Sequence, residues 1–542
     1  MAEALARPLR FGIMYDGSAL HSFQAQAINA LVERGVAEPA LLIIDGREGS
    51  AQAQSAVIQR RLFAPNLLWR LYARFDQPRA LARVPLPDYC VGLPRIVCAP
   101  TREGWSEYFS DADAAAIRSY DFDFILRFGF GIIRGKILDS ARFGVWSFHH
   151  GDEARYRGGP PGFWEIYDGA AVSGAILQRL TDRLDSGIVL RRGYLKTLDY
   201  SYARNLNRLL LESADWPALV ASDIRAGADV DRLPASRSQA RIRRTPSNIE
   251  MLRFFPRLAR NVVRRAFERT TREEWNVGVV RLSPKEVVAG GTVGQVRWVP
   301  PLPGGWVADP MAYAVNGDVH VLCERMRLKD DKGHIAAITF DGSRWSGEHV
   351  ALDTGCHAAY PYIFEYDGSL YCVPETSEAN EVRLFRAVRF PHQWERAGTP
   401  VSGVPAVDNT IFRYGEHWWL FFTLATASDH RLHAYHATQP LGTWQAHERN
   451  PIKIDVRSSR PAGPPFWFEG SLYRPAQDSS KTYGGRIAIN RIVELTPSTF
   501  SEETIAHLEP ARGRYGQALH TLSRAGDYWV IDGKRYRLRG FG

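Results

Sequence analysis

At 542 residues, the chain is too long to fold around one hydrophobic core, and its length suits two or three domains. Hydrophobic residues make up 45% and charged residues 23%, which excludes extensive disorder, and no stretch approaches the roughly 18 apolar residues of a membrane span. The net charge of +9 is confined to residues 232–272, where twelve arginines outweigh two acids (12 − 2 = +10) and leave −1 elsewhere, so no specific nucleic-acid partner is expected.

Strands alternate with helices over residues 9–133. The run LRFGIMY predicts a buried strand, FQAQAINALVERG a helix, and ALLIIDG, RIVCAP and DFILRFGFGII further strands. This alternation predicts a Rossmann-like α/β domain with a mainly parallel sheet, whose functional residues lie at the carboxyl ends of the strands. The stretch 146–164, WSFHHGDEARYRGGPPGFW, follows such an end. Two alternating runs beyond it predict a strand pair that brings Asp185 back to the sheet.

The order of motifs in residues 9–200 resembles the folate-dependent formyltransferases, which include methionyl-tRNA and sugar-amine formyltransferases. That family carries Asn-x-His, then a Tyr-Arg-Gly turn, and later Asp-x-Gly. The turn at 156–158 puts the family histidine at His149 and the family aspartate at Asp185, and Ser147 stands at the asparagine position. The resemblance implies 10-formyltetrahydrofolate as co-substrate and a primary amine as acceptor.

Formyl transfer passes through a tetrahedral oxyanion and needs both a hydrogen-bond donor and a proton acceptor. His149 suits both roles, and Asp185 would hold its ring tautomer and favour the imidazolium. Ser147 offers one donor where an amide offers two, so oxyanion stabilisation is expected to fall unless a water or His150 assists, or the reaction differs. His150 points to the opposite face of its strand and is expected to be structural.

Arginine and glycine residues near the motif are further site candidates. Arg155 and Arg157 suit contacts to an acidic substrate such as a nucleotide phosphate, although Arg157 equally suits a structural role in the turn. The resemblance implies that the pterin lies against Phe128, Gly129 and Gly131. The five cysteines are scattered without zinc-site spacing, so we expect reduced thiols in a cytoplasmic protein and no bound metal.

The arginine-rich segment contains a predicted helix over residues 249–270. Its apolar residues at helical spacing are Ile249, Leu252, Phe255, Leu258 and Val262, and Pro256 is expected to kink it. The helix is expected to pack on one domain as a solvated connection, or to contact an anionic membrane surface or an acidic partner.

The second half of the chain repeats itself five times. Each segment has a hydrophobic strand, a turn and an aromatic-rich strand, and the starts are Asp309, Tyr360, Asp408, Arg460 and Gly516, separated by 51, 48, 52 and 56 residues. A period near fifty predicts an all-β five-bladed propeller. The predicted domains are therefore 1–228 (α/β), 229–274 (linker with helix) and 275–542 (propeller).

Asp-Pro at a blade start resembles the arabinanase and xylosidase type of glycoside hydrolases, which place three acids around the central channel. Asp309 matches the base and Asp408 the third acid, but Tyr360 replaces the second, so that mechanism is not expected. Residues 280–535 resemble more closely the propeller domain of plant glucosamine inositolphosphorylceramide transferases, through YPYIFEYDGSLYCVPET, DNTIF and LYRPAQD.

Polar residues recur at blade starts and second-strand ends, namely Asp309, Glu324, Glu375, Asp408, Arg460, Gln477, Asp478 and His520. They predict a carbohydrate or phosphosugar site, with Asp309, Glu375, Asp408 and Arg460 as substrate contacts, or a paired network that only holds the blades together. The leading hypothesis is a formyltransferase acting on an amino sugar or its nucleotide or lipid conjugate. The alternatives are a glycan-processing propeller and a binding module with a degenerate first domain.

Overall fold

The computed structural model describes residues 7–17, 19–47, 65–182, 187–236, 238–329 and 332–539. The chain divides into two compact units, residues 1–265 and 266–542. The first mixes helices and strands, and the second consists almost entirely of strands.

The described part of the first unit contains fourteen strands and eight α-helices, and the last helix continues into the second unit. The strands are β1 Leu9–Tyr15, β2 Leu20–His21, β3 Ala37–Asp45, β4 Arg83–Val84, β5 Arg95–Cys98, β6 Thr101–Glu103, β7 Ser106–Tyr108, β8 Phe124–Arg127, β9 Ile132–Arg134, β10 Val145–His149, β11 Arg157–Gly158, β12 Val172–Arg179, β13 Ile188–Lys196 and β14 Ile242–Arg243. The helices are α1 Ser22–Glu33, α2 Leu67–Phe75, α3 Asp88–Val91, α4 Asp111–Arg118, α5 Phe163–Asp168, α6 Tyr202–Ser213, α7 Trp216–Arg225 and α8 Asn248–Glu268.

A seven-stranded sheet in the order β13-β12-β10-β8-β1-β3-β5 forms the centre of the first unit. The five strands β10, β8, β1, β3 and β5 run parallel. At one edge of the sheet, β12 pairs antiparallel with β10, and β13 pairs antiparallel with β12. Apolar side chains such as Met14, Ile43, Ile125 and Val145 fill the core beside this sheet. The parallel arrangement brings the carboxyl ends of β8 and β10 side by side.

The boundary of the first unit differs from the prediction. The segment predicted as a separate linker belongs to this unit up to Arg265, because β14 pairs with β11 and α8 buries Met251 and Phe254 in a cluster with Phe163. The hydrophobic core of the first unit extends beyond residue 228 because the arginine-rich segment contributes apolar residues of its own.

Helix α8 packs on the first unit with a face that overlaps the predicted one only in part, since Phe255 and Leu258 are partly buried against the same apolar cluster. Its buried residues are Met251, Phe254 and Asn261, whereas Ile249 and Leu252 are 64% and 62% exposed. Asn261 lies on the buried face because its side-chain amide donates to the Asp199 carbonyl at 3.0 Å. A polar residue therefore completes the packed face, which an apolar pattern does not reveal.

The described residues of the second unit form five sheets. Its strands are β15 Thr271–Val280, β16 Gly291–Thr292, β17 Arg297–Trp298, β18 Gly305–Val315, β19 Asp318–Arg327, β20 Gly333–Phe340, β21 His349–Leu352, β22 Ala359–Tyr366, β23 Ser369–Glu375, β24 Glu381–Arg389, β25 Gln393–Ser402, β26 Ala406–Tyr414, β27 His417–Leu424, β28 Arg431–Ala437, β29 Gln445–Ala446, β30 Lys453–Ile454, β31 Phe466–Phe468, β32 Ser471–Asp478, β33 Arg486–Leu495, β34 Phe500–Glu509, β35 Leu522–Ala525 and β36 Tyr528–Leu538; a short helix, α9, spans Pro284–Ala289.

Each sheet takes one of the five predicted repeats. The first three are β18 to β21, β22 to β25, and β26 to β29 with β30 added; the fourth joins β31 to β34 with β16, and the fifth has the order β17-β15-β36-β35. In the fifth sheet, β15 pairs with β36 along ten residues. The start of the second unit thus shares a sheet with its last hairpin.

Two further sequence features can be compared with the structure. All five cysteines are unpaired thiols, and burial raises the pKa of both Cys90 and Cys98 to about 12. Among the helices described, none combines the length and apolar character that crossing a membrane requires.

Candidate functional sites

A cleft of about 260 Å³ opens at the carboxyl ends of β8 and β10. We call it the strand-end cleft, and its lining includes Arg127, Ser147, Phe148, His149, Gln178 and Asp182. Arg127 ends β8 and pairs in register with Ser147 on β10, which in turn pairs with Gln178 on β12. The sheet therefore brings together residues from three strands at one polar edge.

The ring of His149 is oriented by a backbone carbonyl. Its Nε2 lies 3.2 Å from the Tyr156 carbonyl oxygen. A carbonyl oxygen only accepts hydrogen bonds, so Nε2 carries the proton and Nδ1 holds the lone pair of the neutral ring. His149 can therefore act as a base through Nδ1.

Ser147 accepts a hydrogen bond from a buried arginine. Arg127 Nη1 donates to Ser147 Oγ at 2.9 Å, and Nη2 donates to the Phe130 carbonyl at 2.8 Å and to the Gly131 carbonyl. Burial lowers the pKa of Arg127 to about 10, which leaves it charged at neutral pH. Because the serine accepts from a cation, its own proton remains available and is polarised for donation.

Sequence reasoning did not select Arg127. The available signal was a charged residue inside the apolar run DFILRFGFGII, at the carboxyl end of a predicted strand. Its Nε is buried and has no hydrogen-bond partner among the described residues. Arg127 supplies a cationic donor beside the position where the family has an amide.

His150 lies in an aromatic environment, as its alternation with His149 predicts. Its Nε2 is 3.0 Å from Ser213 Oγ, and its ring lies 5.5 Å from Phe148 and 5.7 Å from Phe23. Burial lowers the pKa of His150 to about 3, and the neighbouring His149 adds to this effect by disfavouring a second positive charge. It is a neutral, packed histidine.

The other residues predicted around His149 have separate positions. Asp185 lies outside the described residues, although Asp182 and Gly187 on either side line the strand-end cleft. Arg155 is exposed and lies over the Tyr156 ring. Arg157 Nη1 donates to the Ala240 carbonyl at 3.1 Å, which ties the motif to the basic segment and favours the structural reading of this residue.

Gly129 is required by chain packing, and Gly131 lies close to a side-chain carboxylate. A Cβ at Gly129 would lie 2.8 Å from the Tyr15 backbone, and one at Gly131 would lie 2.6 Å from the Glu107 carboxylate. Phe128 packs with Phe148, with ring centroids 6.3 Å apart. The glycines are thus explained without a ligand, and pterin contact at all three residues stays a prediction.

Three residues at the second candidate site share an unusual backbone conformation. Asp309, Tyr360 and Asp408 have φ angles of 52°, 44° and 56°, and each lies at a register shift in the first strand of its sheet. Left-handed backbone is rare for residues other than glycine, and bulges redirect side chains at functional sites. The predicted repeat starts are therefore the bulge positions.

Acids and bases from several sheets meet at these bulges. We call the set the central cluster; it comprises Asp309, Glu324, Glu375, Asp408, Arg460, Gln477, His520 and Asp532. At one end, His520 Nδ1 lies 2.5 Å from Asp532 Oδ2 and its Nε2 lies 3.4 Å from Asp309 Oδ1. Although burial disfavours the charged ring, both carboxylates raise the pKa of His520. Trp275 stacks on it at 3.9 Å.

The three donor atoms of Asp309, His520 and Asp532 lie within 4.8 Å of one another, close enough to hold a metal ion. They already bond to each other and to the Thr521 hydroxyl, which donates to Asp309 at 2.9 Å. These contacts satisfy the group as an ion-pair network, and the absence of a metal stays an expectation.

At the other end of the central cluster, Asp408 is held by two donors. Arg460 bonds to both of its carboxylate oxygens, and Gln477 Nε2 donates at 2.9 Å. Tyr360, which replaces an acid, is fully buried and accepts from the Gly463 N–H at 2.6 Å. Asp478 lies apart from the cluster and pairs with Arg486.

Two buried glutamates interact electrostatically with both Asp309 and Asp408. Burial, reinforced by neighbouring acids, raises the pKa of Glu324 well above its usual value and that of Glu375 to about 8. Burial also raises the pKa of Asp309 to about 6, against the lowering effect of His520. The raised pKa of Glu375 favours its protonated form at neutral pH, the state required of a general acid.

The stability of the second unit is expected to fall as pH rises from about 5 to about 8. Folded Glu375 stays protonated up to a pKa of about 8, whereas the unfolded group ionises near 4.5, so the folded state binds the extra proton in this window. Glu375→Gln should flatten the decline in urea unfolding across this range, and the exposed Glu395→Gln should not. An unchanged slope in Glu375→Gln would contradict the assignment.

Comparisons with known proteins agree with this two-part geometry. Residues 293–521 match the family described as "Glucosamine inositolphosphorylceramide transferase 1, N-terminal". A protein of that name from Oryza sativa subsp. japonica is 34% identical over 208 residues, 37% of this chain and 28% of its own length. Methionyl-tRNA formyltransferase of Lachnospira eligens is 28% identical over 120 residues, 21% of this chain and 36% of its own length. Both predicted resemblances are confirmed.

The chain spans less than a third of the rice relative's length. Among solved structures, the family 117 glycoside hydrolase Zg3597 of Zobellia galactanivorans is similar to 39% of this chain and 72% of its own, with a TM-score of 0.31 and 15% identity. The rice and Lachnospira relatives are both named as transferases, and all members of the central cluster except Asp532 lie within the matched residues 293–521.

Proposed function

We propose that the first unit transfers a formyl group from 10-formyltetrahydrofolate to a primary amine. The observation that supports this most is the meeting of His149, Ser147 and the buried Arg127 in the strand-end cleft. These residues supply a base and a cationic oxyanion donor, the two functions that acyl transfer requires. The co-substrate supplies the activated formyl carbon.

Each residue has a role in the proposed step. As the amine nitrogen bonds to the formyl carbon, His149 Nδ1 accepts the amine proton. The Ser147 hydroxyl donates to the developing oxyanion, and Arg127 stabilises that charge through the serine. His149 then returns the proton to the folate nitrogen as its bond to carbon breaks, which gives the formamide and tetrahydrofolate.

The proposed acceptor is an amino sugar, free or linked to a nucleotide or lipid. The match of residues 293–521 to a domain of transferases named for glucosamine supports this class. The cluster of carboxyl, guanidinium and amide groups in the second unit is suited to sugar hydroxyls. The first-unit reaction and this sugar-binding role are separate parts of the proposal.

The direct test uses the purified full chain with radiolabelled 10-formyltetrahydrofolate. Glucosamine, nucleotide-linked amino sugars and methionyl-tRNA are offered as acceptors, and label in the product is counted. Transfer to an amino sugar and none to the tRNA is expected. Failure of every amine, together with no binding of folate by calorimetry, would overturn the proposal.

Replacement of Arg127 is expected to slow formyl transfer. Arg127→Met removes the cation that polarises Ser147, and kcat should fall by about 10²- to 10³-fold, as for loss of an oxyanion donor. Arg127→Lys keeps the charge and should recover part of the rate. Folate affinity, measured in parallel, should change far less than kcat; equal losses would indicate a disrupted cleft instead.

A second candidate function is glycan processing at the central cluster. The protonated Glu375 and the strained Asp309 backbone favour acid chemistry on a sugar there. Asp309→Asn should abolish such an activity against aryl glycosides and leave formyl transfer intact. If no glycosidic substrate is turned over by the parent chain, the cluster only binds or holds the sheets.

A further inference from the structure

Helix α8 carries a second apolar face that the first unit does not cover. We call it the outer stripe: Ile249, Leu252, Pro256, Ala259, Val263 and Phe267. Successive members are three or four residues apart, so they lie along one side of the helix. Ile249, Leu252, Val263 and Phe267 are each more than 60% exposed, and the buried contacts of α8 use Met251 and Phe254 instead.

Arginines border the outer stripe. Arg253 and Arg260 each directly follow a stripe residue and therefore lie about 100° around the helix from it. Both are exposed. The only acids in residues 232–272 are Glu250 and Glu268, at the two ends of α8, so the middle of the exposed side combines apolar groups with positive charge alone.

The neighbouring helix α2 shows the same combination. It packs beside α8, with the Tyr72 ring 5.6 Å from Phe254 and the Leu68 N–H donating to Asn248 at 2.9 Å. On its exposed side, Phe75 is 84% exposed and Leu71 is 48% exposed. Arg70 and Arg74, at the adjacent positions, are exposed as well. Two adjacent helices thus expose apolar side chains and arginines together.

We propose that this surface of α8 and α2 docks on an anionic lipid bilayer. Side chains such as Val263 and Phe267 would enter the boundary between headgroups and acyl chains, while Arg253 and Arg260 reach lipid phosphates. An arginine cluster alone is suited to many polyanions. An apolar stripe with arginines along one side is suited to a lipid bilayer, where phosphate groups lie next to hydrocarbon. The inference is independent of both proposed activities.

The full chain is tested by sedimentation with two kinds of vesicle, phosphatidylcholine alone and phosphatidylcholine mixed with phosphatidylglycerol. Binding is expected only to the second, and it should weaken as salt is added. The triple variant Arg74→Glu, Arg253→Glu and Arg260→Glu should bind at least about a hundredfold more weakly. The control carries the same charge change at exposed Arg389, Arg413 and Arg512 in the second unit and should bind like the parent.

A second pair of variants tests the apolar contribution. Leu252→Asp with Val263→Asp should abolish vesicle binding, whereas Val350→Asp with Val388→Asp, at positions 50% and 55% exposed, should not. Retained binding by the first pair, equal binding to neutral vesicles, or capture by soluble polyglutamate without vesicle binding would each overturn the proposal. Circular dichroism of every variant confirms that α8 is retained.

Discussion

His149→Ala is expected to lower kcat for formyl transfer by about 10²- to 10⁴-fold, the contribution typical of a positioned general base. The loss follows from removing Nδ1, because the Tyr156 carbonyl holds the opposite ring nitrogen in its protonated form. Single-turnover rates with the labelled formyl donor measure it. Binding of folate should be nearly unchanged.

The neighbouring histidine provides the matched control. His150→Gln removes a buried ring that bonds to Ser213 and packs on Phe148. It should lower the thermal midpoint of the first unit and leave kcat within a few-fold of the parent. If His149→Ala transfers formyl groups at the parent rate, or if the two variants lose activity equally, His149 is not the base.

Replacing the buried Glu502 should destabilise the second unit more than replacing an exposed acid on the same strand. Glu502 accepts from Arg474 Nε at 2.9 Å and from Lys453 Nζ at 2.6 Å, and the side chains of Glu502 and Arg474 are each 1% exposed. Glu502→Ala leaves a buried guanidinium without its partner and should cost about 3 to 5 kcal/mol of unfolding free energy. Chemical unfolding of the full chain, followed by tryptophan fluorescence, measures this.

The adjacent residue on β34 is the control. Glu503 pairs with Arg491 at 2.8 Å, but its side chain is 59% exposed, so Glu503→Ala should cost less than about 1 kcal/mol. The two variants also differ in pH dependence. Burial alone would raise the pKa of Glu502, but Arg474 and Lys453 hold it below its usual value, so its contribution is present at neutral pH and lost as the pH falls. Equal costs for the two variants would contradict the buried pair.

Strongly periodic parts of the chain could be predicted closely. The strand predicted at residues 9–15 is β1. A short apolar run bounded by a turn is typical of a buried strand in a parallel sheet. The starts of the first three repeats coincide with the bulges at Asp309, Tyr360 and Asp408. These positions stand out because each begins a repeated pattern of strand and turn.

The parts that the sequence could not supply depend on contacts between distant segments. The sequence left Arg157 with two roles, a phosphate contact or a structural contact in the turn, and the structure shows it bonded to a carbonyl 83 residues away. The buried face of α8 includes Asn261 because of its bond to Asp199. The role proposed for Arg127 depends on its pairing in register with Ser147 on the neighbouring strand. Hydrophobic patterns carry no information about which polar partner will be near.

The sharing of the fifth sheet between β15 and β36 has a consequence for synthesis. Thr271 pairs with Leu538, and Val280 with Trp529. The first strand of the second unit, β15, therefore pairs with a strand that is synthesised about 250 residues later. β15 can pair with β17 early, at Gly278 and Val279, but its ten-residue pairing with β36 is not complete until translation has passed residue 538. During that interval the edge of β15 that faces β36 in the finished sheet is an unpaired strand edge, which can pair with other chains.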